Sequence, residues 1–288
     1  MSETSLIARG MAPPGWVCVQ CRARNAMGAD VCSACRRPFA AGLIAPPTRA
    51  PIDLAAPIGA ARELILVVGL FLGWRLVGAL GDRQPAAAIA NGQWLWRVER
   101  ALHLPSELAV QRAFLPHHLL IELLNGFYIV AHVGSMLVFL GWLYLRHRDR
   151  YRRWRAAVIA FTGACLLIQL VPVAPPRLVG GLGLVDTGRL YHQSVYGAAA
   201  NRWTDQFASL PSVHVGWAIL IAVAVITVSR SRWRWLVLAQ PALTGLAVIV
   251  TANHFWLDGL LAGLLVAAVL GVQRWRLGHP GGHPAATA

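Results

Sequence analysis

The sequence has no lysine. All 26 of its Lys/Arg residues are arginine. That excludes Schiff-base chemistry on a lysine amine and a Walker-type phosphate loop. Carboxylates are scarce too, with 12 Asp and Glu against those 26 cations, and Asp258 is the single one from Gln206 to the C-terminus. Only 13% of the 288 residues are charged, while 57% are hydrophobic. A soluble domain seldom has this composition, and several long apolar runs make a multispanning membrane protein the first reading. The net charge of +14 is not read as a nucleic-acid footprint, because the arginines cluster between apolar runs. The first long apolar run starts near Leu64, too far along for a cleavable signal peptide, so none is expected.

Of the 5 cysteines, four lie within residues 18–35. They follow the pattern Trp16-x-Cys18-x2-Cys21-x3-Asn25-x6-Cys32-x2-Cys35. Four thiolates in two paired knuckles suit tetrahedral Zn²⁺, and so short a module cannot fold on its apolar core alone. Cys165 sits in an apolar run as a small packing residue. The expected organisation is a disordered tail (1–13), a zinc ribbon (14–38), a Pro/Ala-rich linker (39–60), a membrane domain (61–275) and a second disordered tail (276–288).

The fold class expected is all-α and integral to the membrane. Six candidate spans occupy roughly 63–80, 120–145, 156–173, 211–228, 235–253 and 255–273. Each approaches the ~20 residues a helix needs to cross the hydrocarbon core. Between the first two, Trp94, Leu95, Val98 and Leu102 recur at helical spacing, which predicts a short interfacial helix over 91–104. Arginines then set the topology. Residues 146–155 carry six, 230–234 three and 273–276 two, and all three segments share one side if six spans alternate. The positive-inside rule makes that side cytoplasmic. Both termini and the zinc ribbon join it. The expected location is the plasma (cytoplasmic) membrane, with the segments 81–118, 174–210 and 251–258 on the outer face.

Three of those outer segments carry chemistry. In TANHFWLD (251–258), His254 and Asp258 are i and i+4, so on a helix they share one face. The aspartate can hold one ring nitrogen and leave the other as nucleophile or base. In ASLPSVHVGWA (208–218), Pro211 suits a first helical turn, and Ser212 and His214 fall near a helix N-terminus that favours an anion. In VPVAPPRL (171–178), the prolines stop a helix and Arg177 lies just outside, able to fork two donors onto a phosphate. Together these form a set for phosphoryl transfer through a phosphohistidine, with no metal required for catalysis. His132, with Asn125 and Tyr128 on a similar face, reads as a cross-helix hydrogen-bonding residue. His117, His118 and His192 read as loop or interface residues. Asp186, Tyr191, Tyr196 and Asn201, in the glycine-rich outer loop, are candidate head-group contacts.

The APPR, PSVHVGWA and TANHFWLD stretches, in this order, resemble the type-2 phosphatidic acid phosphatase superfamily over roughly 60–275, and more closely its inositol-phosphorylceramide-synthase-like branch. The resemblance implies that His254 is the nucleophile, Asp258 its support, His214 the general acid, and Arg177 and Ser212 the phosphate binders. It also implies a membrane lipid as substrate. The wider pattern has a lysine where this chain has Leu170, a proline where it has Leu178, and often an arginine where it has Val248. Fewer cations point to a phosphodiester, or to transfer between alcohols, rather than a dianionic monoester. A lipid or polyprenyl phosphate phosphatase with the same residues is the alternative, and a transporter or a membrane-tethered binding platform is the alternative of another class. Residues 14–38 resemble a zinc finger of the Ran-binding-protein type, whose members bind RNA or proteins. That implies a partner surface at Trp16, Arg22 and Arg24, beside the plainer role of a small docking ribbon. The oligomeric state is left open.

Overall fold

The computed structural model describes residues 15–18, 20–21, 23–26, 29–36, 55–194 and 206–278. The first expected tail, residues 279–288 of the second, Arg22, Tyr196 and Asn201 lie outside them, while residues 276–278, expected in the second tail, end the last helix. The chain divides into two compact units, Met1–Leu64 and Ile65–Ala288.

The first unit holds a two-stranded antiparallel hairpin of β1 (Gly15–Val17) and β2 (Arg24–Ala26), in the register Trp16 opposite Asn25. Its polar pairs explain the sequence pattern. Trp16 Nε1 donates to the carbonyl of Ala29 at 3.1 Å. Asn25 Oδ1 accepts from the amide of Ser33 at 2.8 Å and from its hydroxyl at 2.9 Å. The asparagine thereby ties the hairpin to the second cysteine knuckle, a structural task that needs an acceptor and a donor on one short side chain.

The second unit is helical. Its elements are α1 (Ala55–Gly81, which begins in the first unit), α2 (Pro85–Ala101), α3 (Glu107–Phe114), α4 (His118–Arg146), α5 (Arg148–Ile168), the short α6 (Thr187–Leu190), α7 (Val213–Val228), α8 (Ala239–Val250) and α9 (Trp256–Gly278). Turns of 3-10 helix cover Pro176–Leu178 and Arg232–Leu238. Among the described residues, three segments are long and apolar enough to cross a membrane: His118–Arg146, Arg232–Val250 and Trp256–Arg276. Val68–Gly81 and Val213–Val228 are shorter apolar helices. α5 opens on an arginine-rich stretch, so only its later part is apolar. The exterior of these helices is apolar: Val130, Leu137, Val138, Leu145, Leu167 and Leu264 all lie exposed. Such a surface is disfavoured in water and suits hydrocarbon.

Inside, α4, α5, α7 and α9 pack through Phe139, Leu143, Trp154, Phe161, Leu220 and Val266. The approach of α5 to α7 needs Gly216, because a Cβ there would sit 1.9 Å from Phe161 Cζ. A smaller apolar cluster of Ala88, Leu95, Val173, Val179 and Phe255 joins α2 to the ends of the other segments, beneath the site.

Within the membrane domain the structure differs from the sequence reading at three places. Helix α2 starts at Pro85 and ends at Ala101, and its buried face is Ala88, Gly92, Leu95 and Glu99, leaving Trp94 and Leu102 exposed. Pro211 precedes α7 rather than entering its first turn. The Leu210–Pro211 peptide is cis, and Ser212 is the N-cap, accepting from the amide of Val215 at 3.3 Å. Residues 251–255 are not helical at all. The chain turns between α8 and α9, with Ala252 at φ 54°, a left-handed conformation that helical propensity alone does not reveal.

Candidate active site

The turn between α8 and α9 gathers the three sequence stretches. Its backbone receives α7's side: the amide of Ser212 donates to the carbonyl of Asp258 at 3.1 Å. It also receives the proline-rich stretch: the amide of Arg177 donates to the carbonyl of Ala252 at 3.0 Å. Residues 173 and 208 form a parallel bridge between the other two stretches, with Val173 N donating to Phe207 O at 2.7 Å. The prolines around this bridge donate no hydrogen bond, so the backbone there is held by its neighbours rather than by a ladder of its own.

His254 and Asp258 meet although only Asp258 is helical. His254 Nδ1 lies 3.1 Å from Asp258 Oδ2 and 2.9 Å from the carbonyl oxygen of Ser209. A carbonyl and a carboxylate only accept, so Nδ1 carries the proton. Among the described residues, every hydrogen bond to this ring is made at Nδ1. In the neutral ring Nε2 then keeps its lone pair, which is the form a nucleophile needs. Asp258 is fully buried, and its Oδ2 also accepts from the Ser209 hydroxyl at 2.5 Å and the Phe255 amide at 2.9 Å. The last contact is half of a capping box: a carboxylate at the third helical position reaches back to the amide of the N-cap residue.

His214, in the first turn of α7, faces His254 with 5.6 Å between ring centroids. Tyr128 and His132 of α4 hold it from the other side. Tyr128 stacks on His214 at 4.3 Å and an interplanar angle of 16°, and His132 lies 4.0 Å away. Arg177 donates from Nε to Asn253 Oδ1 at 2.9 Å and lies 3.5 Å from Asp186 through Nη1. Its side chain is 2% exposed, so the guanidinium is fixed in place by the turn that carries His254. Ser212 is buried, with its hydroxyl on the Val215 amide. Beside Arg177 opens a small cleft, lined by Tyr128, Asp186, Gln193, Ser194 and Asn253 among others.

All five predicted residues of this site thus lie around one turn. The sequence reading missed Ser209 and Asn253, and it gave His132, with Tyr128 beside it, a purely structural task. Ser209 and Asn253 stood inside the same motifs, adjacent to the named residues. Tyr128 and His132 were visible as one helical face of α4, but nothing in the sequence said what that face meets. Of the outer-loop candidates, Asp186 reaches Arg177, while Tyr191 bonds His118 at 2.7 Å through its hydroxyl.

A separate four-cysteine site lies in the first unit. The sulfurs of Cys18, Cys21, Cys32 and Cys35 all fall within 4.8 Å of one another, with Cys18–Cys35 at 3.6 Å and Cys21–Cys32 at 3.4 Å. Tetrahedral Zn–S bonds of about 2.3 Å place sulfurs about 3.8 Å apart, so the four thiols fit one metal ion.

No curated protein and no solved structure matches the chain. A family model does: that of the PAP2 superfamily, over residues 93–272. The matched range holds the whole constellation, from Glu99 through Arg177, His214 and His254 to the end of α9, and with the apolar helices it identifies a membrane enzyme of the phosphatase or phosphotransferase type. The chain belongs to the PAP2 superfamily.

Proposed function

We propose that the protein is a membrane lipid phosphotransferase acting through a phosphohistidine. The observation that carries this reading is the pair of acceptors on His254 Nδ1, which leaves Nε2 as the nucleophile. Nε2 attacks phosphorus as the bond to the leaving alcohol breaks, and His214 gives that oxygen its proton. A second alcohol then attacks the phosphorus, His214 takes the alcohol's proton, and the P–N bond breaks. Asp258 stabilises the positive ring. Arg177, the Ser212 hydroxyl and the first amides of α7 face the phosphoryl oxygens.

The charge around the site favours a phosphodiester. Arg177 already shares its guanidinium with Asp186 and Asn253, and Val248 adds no cation. The reading is completed by an inositol-phosphate type of head group, moved between lipid alcohols at the outer leaflet. It includes six spans (61–275), an interfacial α2, cytoplasmic termini and a location in the plasma membrane. With water as acceptor the same residues make a lipid or polyprenyl phosphate phosphatase. The test supplies purified enzyme with lipid carrying labelled phosphorus, in the presence of a second lipid alcohol. Label on the second lipid supports transfer, and label only in a water-soluble phosphate or phosphate ester makes the enzyme a phosphatase.

We further propose that residues 14–38 hold structural zinc and dock a protein or RNA partner on the cytoplasmic side. The sulfur geometry supports the metal, and exposed Val17 and Val31 offer a contact surface. The substrate reading leaves the oligomeric state unassigned.

A further inference from the structure

Behind the catalytic aspartate lies a pair of carboxyls that the reaction does not use. Glu99 of α2 is 0% exposed and Glu107 of α3 is 2% exposed. Burying two carboxylates side by side is strongly unfavourable unless the charge is removed or paired. One of the two is paired: Arg100 Nη2 lies 3.1 Å from Glu107 Oε2. Glu99 meets no cation among the ion pairs of the described residues. Its Oε1 accepts from the backbone amide of Leu257 at 2.7 Å. The other two oxygens, Glu99 Oε2 and Glu107 Oε1, are buried and meet no protein donor among the described residues. They belong to carboxyls that are hydrogen-bonding neighbours. Two acceptors in contact need a proton between them.

The Leu257 contact says what the pair is for. Leu257 is the second residue of α9, and its amide is one of the four donors that a helix start leaves without a partner. A Ser, Asp or Asn at the N-cap would normally accept it, but the residue there is Phe255, whose side chain is apolar and buried in the cluster beneath the site. Glu99 supplies the missing acceptor from another helix. Next to Leu257 stands Asp258, whose carboxylate holds His254. A second tie from the same side is the bond from Trp256 Nε1 to the carbonyl of Pro105, at 2.8 Å.

We propose that Glu99 and Glu107 share one buried proton, and that neutral Glu99 caps α9 from outside and so positions Asp258 and His254. Glu99 is a positioning residue, since it touches neither substrate nor the reacting atoms. The charged groups facing it are Glu107 from α3 and Asp258 from α9, and Arg100 of its own helix is bonded to Glu107. Burial and these acidic neighbours push the Glu99 carboxyl up to about 9. Were it ionised at neutral pH, three carboxylates would crowd the first turn of α9 with one arginine among them. The neutral form removes that repulsion and leaves Asp258 as the sole charge directed at His254.

The test uses the full chain in detergent micelles and an infrared spectrum in D₂O. The wild type at neutral pH is expected to show the carbonyl stretch of a protonated carboxylic acid, which fades as the pH passes about 9. Glu99→Gln removes the band, because the amide donates to Glu107 in the proton's place. Absence of the band in the wild type, or its survival in Glu99→Gln, overturns the shared proton. This arm needs no turnover, so it stands apart from the phosphotransferase reading. The positioning role is read by release of nitrophenol from a p-nitrophenyl phosphodiester in mixed micelles. Glu99→Ala lowers kcat about tenfold or more with KM little changed, as expected when a catalytic group is displaced without loss of substrate contacts. Glu99→Gln recovers most of that loss and flattens the alkaline limb of the pH profile. Equal kcat in wild type and Glu99→Ala overturns the positioning role, as does a Glu99→Gln variant as impaired as the alanine.

Discussion

His254 donates from Nδ1 to the backbone carbonyl of Ser209 at 2.9 Å. Asp258 is therefore not alone in fixing the tautomer, since a main-chain oxygen does the same from another segment. Asp258→Asn is expected to lower kcat by about a hundredfold, less than the ~10⁴-fold known where a carboxylate is the only tautomer lock. His254→Ala, which removes the nucleophile, abolishes turnover. Steady-state rates for the two variants check the order, and equal losses contradict it.

His214 is expected to matter only when the departing oxygen needs a proton. General acids contribute about 10²–10⁴-fold with poor leaving groups. His214→Ala should show a loss of that size with an alkyl phosphodiester. With a p-nitrophenyl phosphodiester, whose leaving group departs as the anion, the deficit in the burst of nitrophenol should be far smaller. An equal deficit with both probes assigns His214 to binding instead.

The sequence showed the reacting groups more clearly than the scaffold that aims them. His254, Asp258, His214 and Arg177 announced themselves as polar residues at the ends of apolar runs, where burial without a partner costs most. Their contacts were less legible. The i, i+4 spacing of His254 and Asp258 predicted a shared helical face, yet the contact forms across a turn, because Ala252 leaves the helical region and Asp258 caps the next helix. Glu99 was hidden for the opposite reason. A periodicity of apolar residues cannot place a carboxyl on the inner face, and only the tertiary meeting with Leu257 and Glu107 makes its burial tolerable. Tyr128 and His132 were visible as a face without a partner, since one sequence does not say which helices touch.

Glu99 also ties stability to pH. Its carboxyl is raised from an ordinary value of 4.5 to about 9 in the folded protein. Between those values folding takes up a proton that the unfolded chain has lost. The contribution is thus fully favourable below pH ~4.5 and is lost progressively toward pH ~9, with a slope of up to about 1.4 kcal/mol per pH unit for one proton. Unfolding by SDS in mixed micelles should show this decline in the wild type and its loss in Glu99→Gln. A parallel decline in both proteins contradicts the assignment.

Gly216→Ala is expected to destabilise the helix bundle by about 1–3 kcal/mol, because the new methyl group overlaps the ring of Phe161 and neither backbone can withdraw freely. Phe161→Leu in the same chain should recover part of the loss. Thermal unfolding in detergent measures both, and additive losses would exclude the contact as the cause.

Zinc content should fall by the whole bound metal in Cys18→Ser/Cys21→Ser, with no change in the turnover of lipid phosphates, since the thiols and the histidines lie in separate units. Elemental analysis of the purified variant checks the first part, and undiminished zinc removes the four sulfurs as its ligands.

The central claim is that His254 bonds to phosphorus. The most direct measurement mixes enzyme with lipid carrying labelled phosphorus, quenches in alkaline SDS within the first turnover, and locates the label by mass spectrometry. The account predicts an alkali-stable, acid-labile adduct on His254, absent in His254→Ala and accumulating in His214→Ala when the p-nitrophenyl probe is used. Turnover in the wild type with no labelled protein, or label on any other residue, contradicts it.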